Sequence, residues 1–406
     1  MSLLLPEGTR LLHIGPAKTG TTALQSAFHT NRGALAAHGV HYAGRNSQPR
    51  AAAGAVAVGR RIAGHLHGLE AWPRLVREIE ASTAARVVIS SETFARANDE
   101  RAAAVVEALG ADRTHVVITM RPLADMLSSS WQQYVQTGSR TTYPAWLDEM
   151  LRREDTLTAP QPEFWQKTRI DALARRWGAL VGPEHVTVLS LAAAPRDFVL
   201  RTFEAFTGLP EGTLVPDPQA ENVSLSFAIA ETVRLFNERF AELEGASADV
   251  QAALVEFGAI KQLRAHPELV RADGPIEVPQ WAADRAGELM QEMIDGIRSS
   301  GVRTLGDLDA LTVPSRPPVP SIESPPALST EAAAGLMIGM MLAPKRGVPS
   351  FDSLHDKPKP PPPADLETVG TRRLVRYTAS RLRRQVRTRL PGGQEPSAPA
   401  ESPPEP

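Results

Sequence analysis

Arg10-Leu-Leu-His-Ile-Gly-Pro-Ala-Lys-Thr-Gly-Thr-Thr22 is the stretch on which the fold turns. Leu11, Leu12, His13 and Ile14 form a short, mainly apolar run that predicts a strand. Gly15, Pro16 and Gly20 break it. Thr21 and Thr22 then open a segment, residues 23–28, that reads as a helix. Strand, glycine-containing turn and helix together aim backbone N–H groups and a helix N-terminus at a phosphate-like anion.

The position of the lysine narrows the choice of anion. A Walker A loop needs Gly-x-x-x-x-Gly-Lys-Ser/Thr. Gly15 and Gly20 have that spacing, but Thr21 stands where the lysine belongs, and the lysine is Lys18, inside the loop. That shift argues against an ATP or GTP hydrolase. The loop resembles the 5′-phosphosulfate loop of sulfotransferases that use 3′-phosphoadenosine 5′-phosphosulfate (PAPS), which reads Pro-Lys-Ser/Thr-Gly-Thr-Thr. Here Ala17 separates Pro16 from Lys18-Thr-Gly-Thr-Thr22. The resemblance implies an α/β fold, a central parallel sheet flanked by helices, like that of P-loop NTPases. It assigns Lys18, Thr19, Gly20, Thr21 and Thr22 to the PAPS site, and gives Lys18 a catalytic part as well.

Two later strand ends extend the pattern. Val87, Val88 and Ile89 make a continuous apolar run expected of a buried parallel strand, and Ser90, Ser91 and Glu92 follow at its C-terminal end. Ligands of open α/β sheets gather at such ends. In cytosolic sulfotransferases the matching segment ends in Lys-Thr-His, with the histidine as base. Glu92 takes that place by order and position, and other branches of the family use glutamate. Glu92 therefore reads either as a catalytic base or as a residue that caps the helix after it. His41 and His65 are alternative bases. Residues 114–120 form another strand, leading into Arg121-Pro-Leu-Ala-Asp-Met-Leu-Ser-Ser129. This resembles the family's 3′-phosphate motif, an Arg at a strand end and a Ser eight positions on. A guanidinium grips phosphate in a bidentate fashion, and a hydroxyl adds one more bond. Ala23 departs from the cytosolic pattern, which has there a Trp that stacks on adenine.

The whole chain sets limits around these motifs. Its 406 residues suffice for a large core. It holds no cysteine, so thiolate zinc, disulfide and cysteine-nucleophile chemistry are excluded. No stretch reads as a signal peptide or a membrane span, so a cytoplasmic protein is expected. No acidic residue falls between Glu7 and Glu70, which suits an anion-binding loop. Residues 371–390 carry eight arginines and no acid; set against a total of −2, this +8 leaves the rest at −10. The body has no basic stripe of the kind nucleic-acid binding needs. No metal-ligand cluster is evident, so neither a metal nor nucleic acid is expected as a partner.

Strands and helices alternate as far as Gly208, with helices predicted over 101–109, 164–180 and 196–206 and a strand over 185–191. Beyond Gly208 the reading is helical only, over 224–246, 250–265 and 282–299. Lys261, Arg264 and Arg271 are candidates for further anion contacts by charge alone. The expected organisation is a catalytic domain over 8–310, a Pro-rich linker over 311–370 with a short helix near 329–342, a basic amphipathic helix over 371–390, and a disordered tail over 391–406. The basic helix can lie on an anionic membrane surface, at the inner face of a membrane, or remain a solvated segment. The function expected from the resemblance is sulfuryl transfer from PAPS to the hydroxyl of a small-molecule or saccharide acceptor. A P-loop nucleotide kinase, or a non-enzymatic domain tethered by its tail, is the alternative.

Overall fold

Six strands pair side by side, every pair parallel. They are β1 (Thr9–Gly15), β2 (Val40–Tyr42), β3 (Arg86–Ser90), β4 (Thr114–Met120), β5 (Val186–Ser190) and β6 (Arg303–Leu305), in the order β2-β3-β1-β4-β5-β6. The computed structural model describes residues 3–59, 70–152, 163–216, 224–244, 246–271, 275–322 and 327–343. All of these lie in the first of two compact units, Met1–Ser353. His65, the polyproline stretch, the basic segment 371–390 and the tail 391–406 lie outside the described residues.

The sheet is buried on both faces, as parallel sheets are. Leu12 and Ile14 of β1, Val87 and Ile89 of β3, and Val116 and Ile118 of β4 pack into one apolar cluster. Leu11, Val88 and Val117 point to the other side, into a second cluster with Leu24, Phe28 and Phe203. Leu24 and Phe28 belong to α1 (Thr21–Thr30), which seats the helix after the loop on that second face. Period-two alternation within fully apolar strands is what lets one sheet carry two cores.

Strand order explains where a ligand can bind. The chain leaves β1 toward the β2 edge, returns through β3, then crosses past β1 to β4. β1 thus lies between β3 and β4, the point at which the direction of winding reverses. The C-terminal ends of these three strands open onto one crevice. Those ends are Gly15, Ser90 and Met120, the residues that lead into the three motifs.

Four helices frame this crevice or lie beyond it. They are α2 (Leu123–Gln136), α3 (Glu163–Thr168), α4 (Phe227–Phe240) and α5 (Thr330–Leu342). α3 packs against the turn that follows β3, and α4 packs on α2. Ser226 caps α4, accepting from Ile229 N at 3.2 Å.

Three expectations are corrected. Strands do not end at Gly208, because β6 pairs with β5 at the sheet edge, Thr187 opposite Arg303. Three largely exposed residues show no apolar pattern, so only backbone pairing reveals the strand. Gly306 follows it with φ 83°, where any Cβ would collide with the Ser190 carbonyl oxygen. The helix expected over 164–180 is two helices, α3 and Ile170–Val181, parted at Arg169. The Arg169 guanidinium turns onto buried Asp171 with two 2.9 Å bonds, an interaction no local propensity signals. The helix expected over 250–265 contains a π-helical turn, Val255–Ile260, against which α5 packs. Contact is close because it is made by glycines: a Cβ on Gly339 would stand 2.8 Å from the Gly258 carbonyl oxygen.

Candidate functional site

The loop between β1 and α1 is set by backbone conformation. Gly15, Lys18 and Gly20 all adopt left-handed φ, at 83°, 73° and 79°. Two of these are glycines, which take such values freely; Lys18 does so under strain, of the kind that clusters at ligand sites. Gly20 is the N-cap of α1 and offers no side-chain acceptor, and the first turn of α1 has no acid. The helix N-terminus therefore keeps its partial positive charge directed at the crevice.

Threonines brace the loop from below. The Thr19 hydroxyl, fully buried, donates to the Pro16 carbonyl at 2.6 Å and meets the Thr119 hydroxyl at 2.5 Å. Thr119 in turn lies 3.2 Å from the Gly15 carbonyl. The Thr19 side chain thus serves the loop itself. Thr21 is buried at the start of α1, whereas Gly20 and Thr22 are exposed.

Lys18 is the principal cation of the loop. Its pKa is lowered, first by burial and then by the positive charges of Arg264 and Lys167, with Glu92 alone opposing. Three charged side chains thus act on Lys18 across the crevice, two of them cations. Arg264 was one of three candidates by charge. Lys261 is exposed, and the side chain of Arg271 lies outside the described residues. Lys167 is a residue sequence reasoning missed. It comes from α3, with its ammonium 5.7 Å from the centre of the Tyr134 ring on α2. No spacing relative to the loop marks it; only the packing of α3 brings it in.

Glu92 begins the 3-10 turn Glu92–Arg96, immediately beyond β3. Ser91 caps that turn, accepting from Thr93 N at 3.4 Å, and Glu92 is the acid of its first turn. Two amides hold the Glu92 carboxylate. Gln25 Nε2 donates to Glu92 Oε2 at 3.1 Å. Gln48, in the amide orientation that satisfies both its ends, donates to Glu92 Oε2 at 3.2 Å and to Ser91 Oγ at 3.1 Å, and accepts from Arg50 at 3.1 Å. A Cβ on Gly15 would stand 2.9 Å from the Glu92 Cβ, so glycine is required for the loop and the carboxylate to sit this close. His41 is placed differently. It lies opposite Val87, five residues before Glu92, with its Nε2 3.0 Å from Glu78 Oε1.

Arg121 lies at the end of β4, before α2 begins at Leu123. Its guanidinium donates to the Lys18 carbonyl at 3.2 Å, so the β4 end grips the loop directly. It also lies 3.8 Å from Asp125, whose carboxylate accepts from Ser315 N at 2.9 Å. The arginine side chain remains 41% exposed, so it can turn to a ligand. Ser129, two turns along α2, donates to the Met126 carbonyl at 3.1 Å and is half-buried. Among the described residues no group of His, Asp and Glu is arranged to hold a metal ion.

The architecture is that of an open, parallel α/β sheet with a turn of left-handed residues at its switch point. No protein-family profile matches the chain, and no curated protein matches its sequence. Among solved structures the chain is similar to the crystal structure of a sulfotransferase from Alicyclobacillus acidocaldarius. That similarity has 18% identity and a TM-score of 0.37, over 52% of this chain and 84% of that one.

Proposed function

We propose that this protein is a sulfotransferase that takes a sulfuryl group from PAPS and passes it to an acceptor hydroxyl. One observation carries the reading. Lys18, Glu92 and Arg121, far apart in sequence, converge at the switch point, with the Arg121 guanidinium on the Lys18 carbonyl.

The residues fit such a donor. Backbone N–H groups at Gly20, Thr21 and Thr22 and the uncapped start of α1 suit its 5′-phosphosulfate. Arg121 and Ser129 suit its 3′-phosphate, the group that separates PAPS from ATP. PAPS supplies an activated sulfuryl group, bonded through oxygen to a phosphate that leaves readily. Lys18, crowded by Arg264 and Lys167, gains a counter-charge when an anion arrives and stabilises the negative charge growing on the departing oxygen. Glu92, held by Gln25 and Gln48, accepts the acceptor's proton as the new O–S bond forms. The pairing of His41 with Glu78, away from the strand end, supports Glu92 over His41 as base. Holding donor and acceptor in line supplies much of the remaining acceleration.

The test is calorimetric titration with 3′-phosphoadenosine 5′-phosphate (PAP), run beside ATP with Mg²⁺. Binding of PAP that weakens at least about tenfold in Arg121→Ala and in Lys18→Ala is expected. Preference for Mg-ATP would replace this reading by a nucleotide kinase. Binding of neither would leave a non-enzymatic domain, whose basic segment 371–390 is then to be tested on anionic vesicles.

A further inference from the structure

A buried polar chain runs beneath the loop and ends on Glu92. Gln25 lies on α1, four residues after Thr21, and is only 3% exposed. Its Nε2 makes two contacts, 3.1 Å to Glu92 Oε2 and 3.3 Å to Ser90 Oγ. Ser90 Oγ lies 2.8 Å from His13 Nδ1, and His13 Nε2 lies at a long 3.5 Å from Thr119 Oγ1. Thr119 meets Thr19, and Thr19 donates to the Pro16 carbonyl.

Gln25 donates to Ser90, whose hydroxyl meets Nδ1 of His13. His13 Nε2 faces Thr119, Thr119 donates to the Gly15 carbonyl, and Thr19, in contact with Thr119, donates to the Pro16 carbonyl, so the chain ends on two carbonyls of the loop. Burial pushes the His13 pKa down to about 3, so the ring is neutral, with one donor nitrogen and one acceptor. Tyr42 stands beside Ser90 and adds a second polar neighbour there. Both carboxamide hydrogens of Gln25 are therefore committed, one to the carboxylate and one to the chain that braces the loop.

We propose that Gln25 is the positioning residue for Glu92, tying the carboxylate to the helix and loop that receive the donor, so that base and donor keep one geometry. This rests on the reading of Glu92 as the base. Gln25 touches no reacting atom, and its effect passes entirely through Glu92. An aliphatic side chain of similar size fills the space and releases the carboxylate, which then swings on Gln48 alone.

A double-mutant cycle on donor turnover tests it. The full chain is incubated with PAPS, with water as acceptor, and release of PAP is followed; PAP affinity is measured alongside. Gln25→Leu is expected to cut turnover at saturating PAPS about tenfold, since small misplacements of a reacting group are costly. PAP affinity stays within about twofold, and in a Glu92→Gln background Gln25→Leu removes nothing further. An equal loss in both backgrounds would mean a structural role only and would overturn the inference, as would unchanged turnover. If Gln25→Leu does not fold, Ser90→Ala takes its place, with a smaller loss of about threefold that also vanishes beside Glu92→Gln. Absence of PAP binding by the unaltered chain would overturn the donor reading itself. PAP binding without any PAPS turnover would overturn the role of Glu92 and this inference with it, while leaving the donor site standing.

Discussion

Two charged clusters in this molecule have opposite designs. Asp171, 1% exposed, is matched by Arg169 through two 2.9 Å bonds and by Arg175 at 2.9 Å. Burial pushes its carboxyl up, yet the hydrogen bond and charge of Arg169 and the charge of Arg175 outweigh it, and the pKa falls below the usual value. Lys18 is also lowered, but by burial reinforced by Arg264 and Lys167, with only Glu92 to oppose them. One cluster is complete as folded. In the other, two cations and one carboxylate act on Lys18, a local surplus of positive charge that suits the anionic donor proposed above.

The contrast can be broken at several points. The largest effect is expected from Asp171→Ala, which leaves the buried Arg169 guanidinium without its carboxylate, beside the half-exposed Arg175. Unfolding in denaturant should show a loss of about 3–5 kcal/mol, with PAP affinity of the folded protein unchanged. A loss under about 1 kcal/mol would place this cluster with surface ion pairs and remove its structural role.

Acid should act next, through His13. Its folded pKa, about 3, lies below the ordinary 6.5, so the unfolded chain binds a proton that the folded chain refuses. The resulting stability is present above about pH 6.5 and is lost as pH falls toward 3. Between pH 7 and pH 5 this amounts to about 2 kcal/mol. His13→Asn should flatten that part of the curve; an unchanged slope would show that His13 does not carry it. Asp171 acts only lower, below its ordinary value of 3.8, because its folded pKa is depressed.

Lys18→Ala sharpens the comparison from the other side. PAP binding should weaken at least tenfold, about 1.4 kcal/mol, while the unfolding midpoint holds or rises as repulsion from Arg264 and Lys167 is relieved. A midpoint that falls as it does for Asp171→Ala would make Lys18 a structural residue. The smallest effect is expected at Arg239–Glu242, an exposed pair at 3.5 Å. Glu242→Ala should change stability by under about 0.5 kcal/mol.

Much of the sheet is visible in the sequence because its signals are local. Leu11, Leu12 and Ile14, then Val87 to Ile89, then Val116 to Ile118 are apolar runs with turn residues after them. Gly15 and Gly20 announce the loop. β6 gives no such sign, since its three residues are mostly exposed and are held by backbone pairing. The break at Arg169 is equally silent, because it follows from an ion pair within the core.

The sequence by itself determined the α/β class, the turn that holds Lys18, and the three strand ends that Lys18, Glu92 and Arg121 follow. Each depends on spacing within a few residues, and the polypeptide's own periods impose it. Only the tertiary structure decided that Glu92 is held by Gln25 and Gln48, that Arg121 grips the Lys18 carbonyl, and that Lys167 and Arg264 crowd the same crevice. These groups come from segments up to 246 residues apart in the chain, Lys18 to Arg264. Strand order and helix packing bring them together, and a contact made across a folded core leaves no period in the chain that makes it.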